Sequence, residues 1–115
     1  MLLEIRTYRL KPGTRDEFVR VMREDAVPLL THAGIDVVTC GASLVNEDGH
    51  EEAYLIRSFG SLAEHHEQEV TFYASDAWRL GPREVILAKI ESYHSIVLET
   101  SPAAVDALRL AVSPN

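Results

Sequence analysis

The sequence has one cysteine and no long apolar run. Cys40 cannot form an internal disulfide, so nothing indicates an oxidising compartment. Apolar runs fall short of the roughly 18 residues that a membrane span needs. Glu4 and Arg6 interrupt the one early apolar stretch, which argues against a secretory signal. These features predict no membrane association and a cytoplasmic location.

Positive charge is also scarce. The chain has 11 Lys and Arg residues against 18 Asp and Glu residues, giving a formal net charge of −7. Nucleic acids and anionic membranes require clustered basic side chains, so neither is expected as a partner. The 115 residues, 46% of them hydrophobic, suit one folded domain over residues 1–115.

Metal and cofactor motifs are missing as well. There is no H-x-x-x-H pattern, no Cys/His cluster, no glycine-rich phosphate loop, no serine elbow and no nucleotide fingerprint. His65 and His66 are adjacent, so on a helix they diverge by about 100°. The sequence therefore predicts neither a metal nor a cofactor.

Four stretches carry strand patterns. Residues 2–10 alternate with a period of two, which predicts a strand ending at the Lys11-Pro12-Gly13 turn. Further strands are predicted over residues 36–45, 52–59 and 92–100. Asp48-Gly49 predicts a hairpin turn between the second and third strands.

The remaining segments carry helix signals. Thr14/Glu17 and Ser61/Glu64 have capping-box spacing, and Pro28 predicts a kink near Val27. Helices are predicted between Thr14 and Gly34, between Ser61 and Tyr73, after Gly81-Pro82, and after Ser101-Pro102, the last with Val105, Leu108 and Val112 on one side.

The resulting order is β-α-β-β-α-β, with one additional helix before the last strand and one after it. This order predicts a ferredoxin-like α+β fold with a four-stranded antiparallel sheet. The sheet face away from the main helices, roughly 400 Å² in projection, mixes apolar and polar residues. We expect a homodimer, or a higher assembly, whose sheets face each other and enclose a cavity. The C-terminal helix then packs either on the partner or on its own sheet.

The first strand carries the main candidate site. If Ile5 and Thr7 meet the helices, then Glu4, Arg6 and Tyr8 line the dimer cavity. Arg6 would hold an anionic or enolate oxygen and Tyr8 would donate a hydrogen bond. The alternative is a structural Glu4–Arg6 network at the interface.

Other candidate ligand-binding residues lie on later elements. Arg57 shares a strand face with Leu55 and Phe59, either balancing an interior carboxylate or exposed. His94, on the last strand, is interpreted either as a base or as a structural histidine. His66, on the Leu62/Val70 stripe, is placed at the pocket rim or in a structural role.

Two further side chains have a chemical and a packing interpretation. Trp78 lies in an irregular segment and forms either a cavity wall or part of the core. Cys40 has apolar neighbours and is interpreted as an inert thiol.

Three segments resemble one known family. The opening EIRTYRLKPGTRDEF, the Val27-Pro28-Leu29-Leu30 step and the segment FGSLAE at residues 59–64 are similar to NIPSNAP domains. The resemblance runs to Trp78, while residues 73–82 and the tail after Thr100 look elaborated. It implies a dimeric α+β barrel, a group that includes cofactor-free oxygenases, isomerases, lactone-forming enzymes and binding proteins. It supplies no catalytic residue, and such a fold does not fix the function.

Three functional hypotheses follow. The first is a homodimeric barrel that binds a small, partly apolar molecule. The second is a cofactor-independent enzyme of the oxygenase or isomerase type, using Arg6, Tyr8 and His94. The third is a protein-interaction module. A cavity lined by those three residues favours the first two hypotheses, and a cavity filled by side chains favours the third.

Overall fold

The computed structural model of the protein describes residues 1–112, with side chains described for residues 1–109. The strands are β1 (Leu2–Leu10), β2 (Asp36–Ala42), β3 (Glu51–Phe59) and β4 (Ile90–Glu99). The helices are α1 (Arg15–Val21), α2 (Val27–His32), α3 (Leu62–Ala74), α4 (Asp76–Arg79), α5 (Arg83–Leu87) and α6 (Pro102–Val112).

The four strands form one antiparallel sheet in the order β2-β3-β1-β4. β1 lies between β3 and β4, so each of its residues has a partner on both sides. Glu4, for example, pairs with Arg57 on β3 and with Val97 on β4. This order, with helices α1–α5 over one face, confirms the predicted ferredoxin-like α+β fold. The sheet of the single chain is open and not closed into a barrel.

The two faces of β1 are the reverse of the expectation. Glu4, Arg6 and Tyr8 lie on the face that α1–α5 cover, which we call the helix face; Tyr8 belongs to the main core with Phe18 and Leu55. Leu3, Ile5 and Thr7 form the strand face that would have to meet the helices in the arrangement considered for the dimer cavity, and they lie instead on the opposite, open face. The physical reason is that Leu2 and Leu10 lie on the same face of the strand as Tyr8 and are buried against the helices with it.

The first helical segment contains a π-helical turn. Residues Met22–Ala26 form this turn, and the Val27 N–H donates to the Met22 carbonyl, five residues back. A proline ring clashes with the carbonyl four residues before it, and the extra residue of a π turn relieves such a clash. The predicted kink near Pro28 is therefore present. Gly34 follows α2 with φ 85°, as predicted for a residue after the helix end.

The two predicted capping boxes differ. The Thr14 hydroxyl donates to the Lys11 carbonyl at 2.7 Å and makes no cap, so that prediction is wrong. The Glu51 carboxylate instead accepts from the N–H groups of Gly13, at 2.6 Å, and Arg15, at 3.3 Å. Ser61 does cap α3, accepting from the Glu64 N–H at 3.1 Å.

The strand predicted over residues 36–45 ends earlier, at Ala42. The Ser43 hydroxyl donates to the Val45 carbonyl at 2.8 Å, and this local turn takes the chain away from β3. The hairpin then closes at Asp48 and Gly49, both with positive φ, which agrees with the predicted Asp-Gly turn.

Helix α6 packs on the open face of its own sheet. Val105 is buried against Leu3 and Val38. Arg109 donates to Asp36 Oδ2 at 2.9 Å and to the Val37 carbonyl at 3.1 Å. Of the two placements considered for this helix, the described residues show packing on its own chain. The side chain of Val112 lies outside the described residues. Among these residues, no helix has the length and apolar composition needed to cross a bilayer.

Candidate functional site

A cavity of about 520 Å³ lies between the helix face of the sheet and the helices α2, α3 and α5. Apolar side chains form most of its wall, among them Met22, Leu30, Leu55, Phe72 and Ile86. The π-helical turn supplies part of this wall, with Met22 and Ala26. Exposed residues, Val70, Leu87 and Tyr93, mark its mouth.

Polar side chains gather on one part of the wall, which we call the polar corner. Its members are Glu4, Arg6, Arg57, His65, Glu69 and Tyr73. Arg6, Glu69 and Tyr73 line the cavity directly. The other three lie behind them and hold them in place.

The innermost contact of the polar corner is an ion pair between neighbouring strands. Arg57 Nε donates to Glu4 Oε1 at 2.8 Å, and Arg57 Nη2 also contacts this oxygen. Both side chains are buried, with 0% and 1% of their surface exposed. The alternative of an exposed Arg57 is therefore wrong, and this guanidinium balances an interior carboxylate. A buried charge needs such a partner, because desolvation alone would be prohibitive.

Arg6 connects three elements at the edge of the cavity. Its Nε donates to Ser95 Oγ on β4 at 2.8 Å, and its Nη1 donates to the Tyr73 hydroxyl on α3 at 3.1 Å. Its Nη2 lies 3.4 Å from Glu69 Oε1 and 3.5 Å from Glu4 Oε2. The guanidinium is thus fixed in place and its charge is already compensated.

Helix α3 supplies His65, Glu69 and Tyr73 at intervals of four residues, which places them on one face of the helix. Glu69 Oε1 accepts from Arg57 Nη2 at 2.6 Å. His65 Nε2 lies 2.9 Å from Glu4 Oε2 and 3.5 Å from Glu69 Oε2. The His65 ring also packs edge-on against Phe59. Helix α3 therefore completes the corner that β1 and β3 begin.

The two carboxyl groups of this corner titrate differently. Burial alone would raise the pKa of Glu4, but its hydrogen bond with Glu69 and the nearby Arg57 lower that pKa to about 2. Burial and the hydrogen bond with Glu4 raise the pKa of Glu69. Because the two carboxyl groups interact, the protonation of one changes the pKa of the other, and their apparent pKa values belong to the pair. Burial also raises the pKa of the Tyr8 phenol, which is therefore neutral at physiological pH.

Glu4, His65 and Glu69 together have the composition of a metal site. One ligand atom from each lies within 4.8 Å of the others. Both carboxylates, however, already accept hydrogen bonds from Arg57, and the Arg6 guanidinium adjoins them. A cation would have to displace or tolerate two positive charges, so the geometry suits an ionic network better than a metal. The expectation of no metal stays a prediction.

Two residues predicted from the sequence lie away from the cavity. His94 is exposed on the open face of β4, next to Thr7, whose hydroxyl approaches the His94 carbonyl at 3.5 Å. Strand alternation instead directs Tyr93 and Ser95 toward the helix face. His66 is exposed on α3, and its neighbour His65 occupies the polar corner. The predicted set of Arg6, Tyr8 and His94 is therefore not assembled.

The other predicted residues lie on the helix face. Arg6, Tyr8 and Trp78 line the cavity, and Glu4 and Arg57 lie behind the polar corner. Trp78 is both wall and core, since it is buried and packs against Tyr73 with ring centroids 5.4 Å apart. Cys40 is partly buried, and burial raises the pKa of its thiol, which keeps it protonated and unreactive.

A four-stranded antiparallel sheet in the order β2-β3-β1-β4, with helices α1–α5 on one face, defines a ferredoxin-like α+β protein. The sequence profile of the NIPSNAP family matches residues 3–104, and the chain therefore belongs to the NIPSNAP family. No functionally curated protein matches the sequence.

Solved structures share this fold. An uncharacterized NIPSNAP domain protein from Burkholderia xenovorans has a TM-score of 0.75 at 19% identity, over 89% of this chain and 96% of that one. A NIPSNAP family protein with unknown function from Agrobacterium tumefaciens has a TM-score of 0.73 at 26% identity, over 89% and 92%. A putative antibiotic biosynthesis monooxygenase from Nitrosomonas europaea has a TM-score of 0.63 at 10% identity, over 87% and 98%. The last likeness concerns the fold alone.

Proposed function

We propose that this protein binds a small, partly apolar molecule in the cavity between its sheet and helices. The observation that carries the proposal is the combination of a mostly apolar wall with one hydrogen-bonding corner. Binding sites for small molecules have this composition, because apolar contacts supply affinity and a few polar groups fix orientation. The cavity volume, about 520 Å³, falls within the usual range for such sites.

The polar corner supports this proposal more than it supports a purely structural role. A structural ion pair would need only Glu4 and Arg57, which are buried behind the wall. Arg6, Glu69 and Tyr73 extend the network to the surface of the cavity. An interaction module with no pocket chemistry would fill this space with side chains instead. No cofactor is part of the proposal.

The cavity is tested by ligand screening with a blocked variant. Val70 is exposed at the mouth, so Val70→Trp should narrow the entrance at little cost in folding. Val85→Trp is the matched control, since Val85 is exposed on α5 outside the cavity wall. A ligand present at 100 times its Kd should stabilise the protein by about 2.7 kcal/mol. This stabilisation by the ligand should persist in Val85→Trp and disappear in Val70→Trp. Equal stabilisation of both variants would contradict a cavity site.

We also propose that two copies associate through the open face. Helix α6 covers the β2 side of this face, but Ile96 and Leu98 on β4 remain 50% and 39% exposed. Ile5 on β1 and Ile56 on β3, both partly buried, extend this apolar strip. Burial of such a strip in a twofold dimer would remove it from water. A cytoplasmic location is likewise proposed, and the single cysteine is compatible with it.

A further inference from the structure

The charges of the polar corner balance one another. Arg6 and Arg57 carry two positive charges, and Glu4 and Glu69 carry two negative charges when ionised. Each guanidinium lies within 3.5 Å of both carboxylates. The corner therefore offers no surplus positive charge to a ligand.

Tyr73 is a cavity-lining member of the corner whose hydroxyl proton is still available for a hydrogen bond. Its hydroxyl oxygen accepts from Arg57 Nη1 at 2.9 Å and from Arg6 Nη1 at 3.1 Å. A hydroxyl has two acceptor positions and one proton to donate, so both acceptor positions are taken. Among the described side chains, none accepts a hydrogen bond from the Tyr73 hydroxyl. Two cationic donors on the oxygen also polarise the O–H bond, which makes it a stronger donor.

We propose that Tyr73 donates this hydrogen bond to a neutral carbonyl oxygen of the ligand, so that the cavity selects ketones, aldehydes, quinones or lactones over carboxylates. This inference rests on the proposed binding function and specifies its ligand class. The bound molecule has an apolar body against Leu30, Leu55 and Phe72 and a carbonyl group at Tyr73.

Carboxylates and hydrocarbons should bind more weakly than neutral carbonyl compounds, for two different physical reasons. A carboxylate at the polar corner loses its hydration and meets only guanidinium groups that Glu4 and Glu69 already compensate, so its desolvation is not repaid there. Arg83 also lines the cavity, but its guanidinium is exposed and hydrated, and a contact with it would not desolvate the charge pair. A hydrocarbon of the same shape fills the apolar wall but leaves the Tyr73 proton unpaired. A site built around a buried donor rejects a ligand that lacks the acceptor for this reason. The neutral carbonyl compound has neither defect.

Three naphthalene probes of similar shape separate these cases. 2-Acetylnaphthalene has the neutral carbonyl, 2-naphthoate has the charge, and 2-isopropenylnaphthalene has neither. Trp78 is the sole tryptophan of the sequence and lines the cavity, so its indole N–H signal in an NMR titration reports binding there. The ketone should bind about fivefold or more tightly than the hydrocarbon, and tighter still than the carboxylate.

Variants assign the preference to the hydroxyl. Tyr73→Phe should reduce the ketone's advantage over the hydrocarbon to about nothing while the hydrocarbon still binds. Tyr54→Phe on β3, outside the cavity wall, is the matched control and should keep the advantage. If Tyr73→Phe fails to fold, the ranking of the three probes by the unaltered protein decides the matter.

The outcomes distinguish the inference from the proposed function. Equal binding of all three probes, or tightest binding of 2-naphthoate, would overturn the role of Tyr73 and leave the cavity as a binding site. Retention of the ketone's advantage in Tyr73→Phe would do the same. Absence of any Trp78 response to the three probes would overturn both.

Discussion

Glu4 on β1 and Arg57 on β3 lie directly opposite each other in the antiparallel register and form a buried ion pair on the helix face of the sheet. From this pair the hydrogen bonds extend through Glu69 to Tyr73 and Arg6, which line the cavity. The same residues thus connect the stability of the sheet with the position of the proposed binding groups.

Removal of one partner should be more harmful than removal of both. Arg57→Met leaves the Glu4 carboxylate buried without its main partner and should lower the free energy of unfolding by about 3–5 kcal/mol. The double variant Glu4→Met/Arg57→Met removes both charges and should lose much less, as measured by urea denaturation. Arg20→Met, in an exposed ion pair on α1, is the control and should change little. A double variant as unstable as Arg57→Met would show that the charge imbalance is not the cause.

The low pKa of Glu4 predicts a loss of stability in acid. Its pKa is about 2 in the folded protein and 4.5 when unperturbed, so between these values the unfolded state binds more protons. Stability from this group is therefore full above pH 4.5 and falls as the pH drops toward 2, by on the order of 3 kcal/mol. The raised pKa of Glu69 acts in the opposite direction, above pH 4.5.

Urea midpoints measured from pH 7 to pH 2.5 test this dependence. Asp36 and Glu51 also have lowered pKa values and add losses of the same sign. The informative quantity is therefore the difference between the original protein and Glu4→Gln, which should lose less stability below pH 4.5. Parallel curves for the two proteins would show that Glu4 does not contribute.

The strand and helix order could be predicted from the sequence, because alternation, proline, glycine and capping residues act locally. The face of β1 could not, because β1 is covered on both sides. Leu3 and Ile5 pack toward α6, while Leu2 and Tyr8 pack toward the main core. Neither set of alternate residues is purely apolar, so hydrophobicity alone assigns no inner face. Glu4 can be buried on the helix face because Arg57, opposite it on β3, compensates its charge. Arg6 lies on the same face of β1.

The prediction that His66, and not His65, contributes to the site is wrong for a related reason. Leu62, His66 and Val70 form a stripe, but Leu62 and Val70 are exposed at the helix surface. The side of α3 that faces the sheet carries His65, Glu69, Phe72 and Tyr73. The available signal was the four-residue spacing of His65, Glu69 and Tyr73. This spacing indicates a buried face only if the sheet supplies buried charged partners, as Glu4 and Arg57 do. Such long-range pairing is not visible in the spacing of one helix.

The packing of α6 on its own sheet predicts a loss of stability that is independent of protein concentration. Val105→Ala removes buried methyl groups and should lower the free energy of unfolding by about 1–2 kcal/mol. Asp106→Ala, at the exposed neighbouring position, is the control. Denaturation at several protein concentrations distinguishes the two placements of the helix. A loss that grows on dilution would indicate that α6 packs on a partner subunit.

The open face of β4 gives the test of the proposed homodimer. Ile96 is half exposed in the single subunit, so Ile96→Asp should cost little in folding. In a dimer that buries this strip, the same change places two carboxylates in an apolar interface, where desolvation opposes association. Sedimentation velocity at micromolar concentration should therefore show a dimer for the original protein and a single subunit for Ile96→Asp.

Leu62→Asp is the matched control for this experiment, since Leu62 is an equally apolar and more exposed residue on the helix side of the sheet. It adds the same charge to a protein that is already acidic, so general repulsion between subunits rises equally in both variants. Retention of the dimer in Leu62→Asp and its loss in Ile96→Asp would locate the interface on the open face. Dissociation of both variants would indicate that net charge, and not burial of β4, controls assembly. A single subunit for the original protein would contradict the dimer directly, while the cavity, which is built from one chain, would be unaffected.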